Sequence, residues 1–285
     1  MIDRLLTYGR MIKFSHSIFA LPFALSGVVL ASVEAEIRPE TVGWVIVAMV
    51  GARSAAMGFN RWADRKMDAE NPRTSNRELP TGQISSAAVL LFIAVSSGVL
   101  VYASYRLNPL CFALSPVALG IVFFYSLTKR FTWATQAFLG LALSVAPIGA
   151  WIAVTGSLAL EILSLGGAVL LWVAGFDIIY ATQDVDFDRQ FGACSIPQRF
   201  GIAKALWIAQ GLHVCAFVAM LVVGQVFSLG WLYHLGVFGI GGLLVYEHRL
   251  VKPDDLSKAG IAFLNLNAMI SVAYFAVTAI DVLVL

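Results

Sequence analysis

Arg53-Ser-Ala-Ala-Met-Gly-Phe-Asn60-Arg-Trp-Ala-Asp64-Arg-Lys-Met-Asp68 closes a run that begins near Thr41 as almost unbroken hydrocarbon. About twenty apolar residues is the length a helix needs to cross a bilayer core. A helix is also the segment that can do so, because it satisfies its own backbone groups. The stretch therefore reads as a membrane helix with a polar end. Asn60, Asp64 and Asp68 stand at i, i+4 and i+8, along one helical face.

Working outward, the same pattern recurs along the chain. Hydrophobic residues make up 59% of the 285 and charged ones 13%, whereas a soluble domain is about a quarter charged. Spans are expected near 14–34, 41–62, 85–106, 109–127, 132–154, 158–182, 203–226, 230–250 and 260–283. The expectation is an all-α bundle of about nine transmembrane helices, one domain over residues 1–285, embedded in a lipid bilayer. Pro109 suits a helix start. The first apolar stretch is too long for a cleaved signal core and carries His16 and Pro22, so it reads as a retained span. A net charge of +2 gives no basis for a nucleic-acid partner. Cys111, Cys194 and Cys215 are scattered, with neither a disulfide framework nor zinc-ligand spacing, and the four histidines lack ligand spacing too.

Basic residues sort to one set of helix ends. Arg4, Arg10 and Lys13 precede the first span; Arg61, Arg65, Lys66, Arg73 and Arg77 follow the second; Lys129 and Arg130 follow the fourth. Arg189, Arg199 and Lys204 follow the sixth, and Arg249, Lys252 and Lys258 the eighth, while the opposite ends hold Arg38 and Arg106. This bias places the N-terminus and the acidic helix ends on the cytoplasmic side of a bacterial-type inner membrane, with the C-terminus outside.

A second acidic helix end reads Tyr180-Ala-Thr-Gln-Asp184-Val-Asp186-Phe-Asp188-Arg189. Asp184 and Asp188 share a helical face; Asp186 points elsewhere. A calcium loop needs Gly at position six and Glu at twelve, where this chain has Arg189 and Ser195. Each acidic end alone reads equally as a solvated terminus. Two with matching spacing, on one membrane side, fit a shared anionic ligand held through Mg2+, which takes a few carboxylates and lets phosphate oxygens complete its shell. A diphosphate fits. Arg53 and Asp177 each stand seven residues before the first motif residue, close to two turns deeper on the same face. They line a polar cavity or form an inward ion pair. The shared pattern suggests a pseudo-repeat of the second and sixth spans.

The loop Asn71-Pro-Arg73-Thr-Ser-Asn-Arg77-Glu-Leu-Pro80-Thr-Gly82 offers arginines for phosphate oxygens, and Lys129 and Arg130 add charge; positive-inside topology alone would also account for them. Phe59, Phe123, Phe124, Tyr125, Phe176 and Tyr180 are expected near the site, where ring faces can stabilise a cation, although packing explains any one of them.

Together these residues resemble the UbiA-type intramembrane prenyltransferases. The resemblance covers most of the chain: Lys13-Phe-Ser-His-Ser-Ile-Phe-Ala-Leu-Pro22-Phe-Ala, the first motif, the Asn-Pro-Arg-Thr loop, Tyr125-Ser-Leu-Thr-Lys129-Arg130 and the second motif. The family pattern N-D-x-x-D-x-x-x-D is matched at Asn60, Asp64 and Asp68 but has Arg61 in its second place, and D-x-x-x-D is matched at Asp184 and Asp188. The resemblance implies a nine-helix fold with a lateral route for a lipid tail. It also implies Mg2+ on Asn60, Asp64, Asp68, Asp184 and Asp188, and substrate contacts from Arg53, Arg73, Arg77, Tyr125, Lys129, Arg130, Asp177 and Tyr180. The implied reaction moves a polyprenyl group from its diphosphate to a small aromatic acceptor in ubiquinone or menaquinone synthesis. The acceptor is 4-hydroxybenzoate or, from the Asn-Arg and Tyr-Ala-Thr-Gln-Asp signatures, a futalosine-route menaquinone precursor. A secondary transporter is the rival from another class; its coupling residues belong near the midplane. A phosphatidyl-alcohol transferase would need a D-G-x-x-A-R start that this chain lacks.

Overall fold

The computed structural model describes the backbone of residues 2–13 and 19–284, and side chains from residue 7 onward within those ranges. Residues 14–18, which carry much of the opening signature, and the Arg4 side chain lie outside the described residues. A short α1 (Ile2–Met11) precedes α2 (Leu21–Ala31), α3 (Pro39–Glu70), α4 (Ser86–Leu107), α5 (Pro109–Thr128), α6 (Thr135–Thr155) and α7 (Ile162–Ala181). A 3-10 turn (Thr182–Asp184) leads into the short α8 (Val185–Phe191) and α9 (Ile196–Phe200). Then come α10 (Ile202–Val226), α11 (Trp231–Leu250), a first turn α12 (Ala259–Ile261), a π-helical turn (Ala262–Leu266) and α13 (Asn267–Leu283).

Among the described residues, nine longer helices stand at the nine expected places. Seven helical stretches are long and apolar enough to cross a membrane, the last running Ala259–Leu283. The other two are α2, with eleven residues, and α11, whose last turn carries Glu247, His248 and Arg249. Local signals set the ends. Asn108 caps α5, its side chain accepting from Cys111 N at 2.8 Å, and Pro109 follows at the first position, where no N–H is needed. Pro39 starts α3 in the same way, with Glu40 in the first turn against the positive end of the helix dipole.

The largest apolar core joins α2, α6, α7, α10, α11 and α13 around Phe23, Trp151, Trp172, Tyr233 and Tyr274, all fully buried. In lipid the hydrophobic effect does not drive helices together, so close backbone approach and dispersion must hold them. Two glycines show this. A side chain at Gly140 of α6 would overlap the Leu170 carbonyl of α7, and one at Gly175 of α7 would overlap the His213 ring of α10. α7 thereby becomes the most enclosed span, and its end is fixed against its neighbours.

Two boundaries differ from expectation in a way that matters. α3 does not stop near residue 62 but continues to Glu70, so Asp64 and Asp68 remain on a rigid helix. α7 does not run straight through its motif: it tightens into the 3-10 turn at Thr182–Asp184 before α8 resumes.

Candidate active site

The last turns of α3 and the loop behind them form one unit. The Asn71 side chain accepts from Arg73 N at 2.9 Å, and Thr74 Oγ1, buried, donates to the Asp68 carbonyl at 3.0 Å. These turns fold the loop back over the helix end and aim its arginines inward. Arg77 Nη1 lies 2.7 Å from Asp68 Oδ1, and Arg61 is 3.8 Å from the other oxygen. Asp64 is 2% exposed. It receives Lys129 Nζ, Arg130 Nη2 at 3.1 Å and Asn60 Nδ2 at 3.1 Å.

The second motif meets the first across the chain. Arg73 donates to both oxygens of Asp184, through Nε at 2.8 Å and through Nη2, and its Nη1 donates to Tyr180 Oη at 2.7 Å. Asn71 Nδ2 adds a bond to Asp184 at 3.2 Å. Asp188 accepts from Ser195 Oγ at 2.9 Å, while Asp186 is exposed and pairs only with Arg189 among the described residues. α8 ends at Gly192, whose φ of +78° is the left-handed conformation glycine adopts without penalty. The chain after it returns to α5, with Cys194 N donating to the Lys129 carbonyl at 2.7 Å.

The two motifs border one cavity of about 290 Å3. Asn60, Asp64, Asp68, Asp177, Asp184 and Asp188 line it together with Arg53, Arg73, Arg77, Tyr125, Lys129 and Tyr180. Arg130 stands just behind, touching the cavity through Asp64. Six cations (Lys13, Arg53, Arg61, Arg73, Arg77 and Lys129) face five aspartates across the opening. Burial, with Arg61, Arg77 and Arg73 close by, pulls the Lys13 ammonium down to about 8. Arg73 goes the other way: although burial opposes its charge, the Asp184 and Tyr180 contacts hold it firmly charged. Arg53 is the least satisfied cation. Among the described residues its Nε is buried without a hydrogen-bond partner, and its Nη2 reaches only the Lys13 carbonyl at 3.5 Å.

The aromatic expectation is corrected in half. Tyr125, Phe176 and Tyr180 line the cavity. Phe59 and Phe123 instead meet at a tilt, 4.7 Å apart, in a separate cluster with Trp62, and Phe124 is 46% exposed beside Phe131 and Phe138. Phe19 and Phe263 take the vacated role. Phe263 stacks on Tyr180 at 4.2 Å and meets Phe176 and Phe19 edge-on at 5.4 and 5.3 Å. No periodicity marked Phe263, because the π turn adds a residue and shifts the inward face. Arg61 and Lys13 also border the cavity, although sequence reasoning gave neither a role in the site. Their charge was legible but their direction was not.

The sequence pattern of the UbiA prenyltransferase family matches residues 20–269. The chain belongs to that family. A 4-hydroxybenzoate octaprenyltransferase of Vibrio atlanticus (strain LGP32) is 36% identical over 225 residues, 78% of this chain and 78% of the relative. One from Nitrosospira multiformis is 34% identical over 239 residues, 84% of this chain and 82% of its own length. Among solved structures, the apo UbiA homolog from Aeropyrum pernix K1 superposes with a TM-score of 0.81 at 28% identity, covering 94% of this chain and 97% of that one. The fold is shared as well with a UbiA homolog from Archaeoglobus fulgidus bound to GPP and Mg2+, with a TM-score of 0.71 at 17% identity over 97% of this chain and 99% of that one.

The donor set suits the metal that UbiA enzymes use. Asp64, Asp68, Asp184 and Asp188 with Asn60 supply hard oxygen donors around one opening. Among the described residues no three acidic, histidine or cysteine side chains close into a metal cage of their own. Carboxylate and amide oxygens are the donors Mg2+ takes, one or two carboxylates at a time, with phosphate and water completing its shell.

Proposed function

We propose that this UbiA-family enzyme transfers a polyprenyl group from polyprenyl diphosphate to the ring of a small aromatic acid, with 4-hydroxybenzoate as acceptor, in ubiquinone or menaquinone synthesis. One observation carries the reading: two acidic helix ends from distant parts of the chain border one cavity, interleaved with six cations and roofed by aromatic rings. The relatives' shared name, 4-hydroxybenzoate octaprenyltransferase, favours that acceptor.

The diphosphate enters between the two acidic ends. Arg73, Arg77 and Lys129, now paired with Asp184, Asp68 and Asp64, turn to its oxygens and free the carboxylates. Asn60, Asp64, Asp68, Asp184 and Asp188 would hold Mg2+, which would supply charge neutralisation for the leaving group. The allylic C–O bond breaks, its electron pair leaving with the diphosphate. The electron-deficient carbon stays beside the faces of Tyr180, Phe176 and Phe263, whose ring quadrupoles favour positive charge. Water must be excluded, since it would capture the same carbon. Arg53 holds the acceptor carboxylate, which meets its need for a partner. The ring carbon attacks, and the ring proton passes to the released diphosphate, which restores aromaticity. Asp177 and Tyr125, which line the same cavity, are assigned further acceptor contacts. The basic helix ends support a mouth on the cytoplasmic face.

The test is direct. Membranes carrying the protein are incubated with labelled polyprenyl diphosphate and a panel of aromatic acids, and the lipid product is identified by mass spectrometry. A prenylated 4-hydroxybenzoate is expected. A product formed only with a futalosine-route precursor would move the assignment to that branch, and substrate flux into proteoliposomes without chemical change would sink the enzyme reading.

A further inference from the structure

A second cavity lies outside the acidic one, between α10 and α11, with a volume of about 760 Å3. Its walls are two facing stripes at helical spacing: Ala203, Leu206, Trp207, Gln210, His213 and Phe217 on α10, opposed by a matching stripe on α11. Phe217 and Phe238 meet edge-to-face at 5.6 Å and close the deep end. From Phe238 to the end of α11 at Leu250 is twelve residues, about 18 Å of helix, comparable to one leaflet of the hydrocarbon core, about 15 Å.

The chemistry changes along that depth. At the mouth stand Arg249 and Lys252. Arg249 is exposed and makes no ion pair among the described residues. His248 stands beside Arg249, Gln210 and His213 come from the facing helix, and the rest of the lining is apolar and aromatic. Gln210 is exposed, and no hydrogen bond of its side chain is present among the described residues. A polar group facing lipid from within a span is costly and marks a site with a polar occupant. The two histidines are fixed rather than loose. His213 Nε2 lies 3.2 Å from the Trp172 carbonyl and its Nδ1 2.9 Å from His248 Nε2. A carbonyl only accepts, so His213 donates there through Nε2. Its Nδ1 must then accept from His248, and His248 Nδ1 is left as an acceptor or, when the ring is charged, a donor.

We infer that this groove is a specific site for an anionic glycerophospholipid. Anion, ester-oxygen layer and acyl chain follow one another across half a bilayer in the order in which the groove offers cations, hydrogen-bonding side chains and hydrocarbon. Basic pockets between helices at a membrane face bind anionic head groups for the same reason. The mouth opens at the membrane face that holds the acidic cavity: Val251 and Leu256, just past α11, pack in one cluster with Ile178, Ile179 and Ile196 beside the second acidic motif. The site does not rest on the assigned reaction.

Trp207, 74% exposed on the groove wall, is the reporter. The full-length protein is placed in phosphatidylcholine vesicles containing a small fraction of brominated phosphatidylglycerol, and the emission of Trp207 is taken as the difference from Trp207→Phe. Quenching several-fold above the mole fraction of brominated lipid is expected, falling to that fraction in an Arg249→Gln/Lys252→Gln variant. The reverse arrangement, brominated phosphatidylcholine in unlabelled phosphatidylglycerol, should quench below its mole fraction. Quenching that simply follows composition in both arrangements would make the groove ordinary annular surface and overturn the inference. So would quenching relieved by an uncharged prenylated phenol but not by phosphatidylglycerol. The comparison of the two lipids uses the wild-type protein with its conservative Trp207→Phe reference and needs no charge variant to fold.

Discussion

Arg73 closes on Asp184 with two nitrogens, Nε at 2.8 Å from Oδ1 and Nη2 on Oδ2, across 111 positions of chain, while its remaining nitrogen holds Tyr180 Oη at 2.7 Å. A planar guanidinium can make this three-way contact and an ammonium cannot. Arg73→Ala is therefore expected to lower kcat/KM for prenyl diphosphate by about 100-fold, the scale of removing one preorganised donor, and Arg73→Lys to recover little of it. Steady-state kinetics with the two variants check this; full activity in Arg73→Lys would reduce the contact to simple charge.

Asp64→Ala and Asp184→Ala are each expected to abolish prenyl transfer while leaving membrane insertion intact. Asp68→Asn should retain some activity and need more magnesium, because one donor is weakened and the others remain. Magnesium titrations of purified protein, with insertion followed by membrane fractionation, separate these outcomes. Wild-type turnover in either alanine variant would remove the acidic ends from catalysis.

Arg53 lines the cavity, and its Nε has no hydrogen-bond partner among the described residues. Arg53→Ala should raise the acceptor KM more than the prenyl diphosphate KM. An equal rise in both would take Arg53 out of the acceptor pocket.

Lys13 titrates at about 8 against an ordinary 10.5. The cavity keeps one positive charge below that pH and loses it above. Diphosphate affinity should weaken between pH 7 and 9. Stability moves the opposite way: between 8 and 10.5 the unfolded chain binds more protons than the folded one, so folding grows more favourable as pH rises through that window. Lys13→Met should flatten both trends, measured as dissociation constants and thermal midpoints across pH.

Asn267 Nδ2 holds the π turn, donating to Glu247 Oε1 at 2.7 Å and approaching the carbonyls of Ala262 and Phe263 at 3.2 Å each. Asn267, Glu247 and Ala262 are buried, and Phe263 is partly so. Asn267→Ala leaves those acceptors unmet and should cost about 3 kcal/mol, whereas Glu247→Gln keeps an acceptor and should cost less. Thermal unfolding in detergent ranks the two; the opposite order would mean that the turn is held elsewhere.

What the sequence determined by itself is local. Apolar runs of bilayer length dictated helices, Pro109 after Asn108 marked a start, and fourfold spacing put Asp64 beside Asp68 on one face. These are properties of a single helix and need no partner. Tertiary structure decided which faces look inward. In a span that is apolar all round, lipid and protein core are equally good solvents, so periodicity could not separate Phe176 and Tyr180, which line the cavity, from Phe59, Phe123 and Phe124, which do not. It could not foresee Phe263 either, brought in by a turn wound with one extra residue. Nor could it pair Arg73 with Asp184: that contact exists because glycine-tight packing of α7 against α6 and α10 fixes where a distant helix ends.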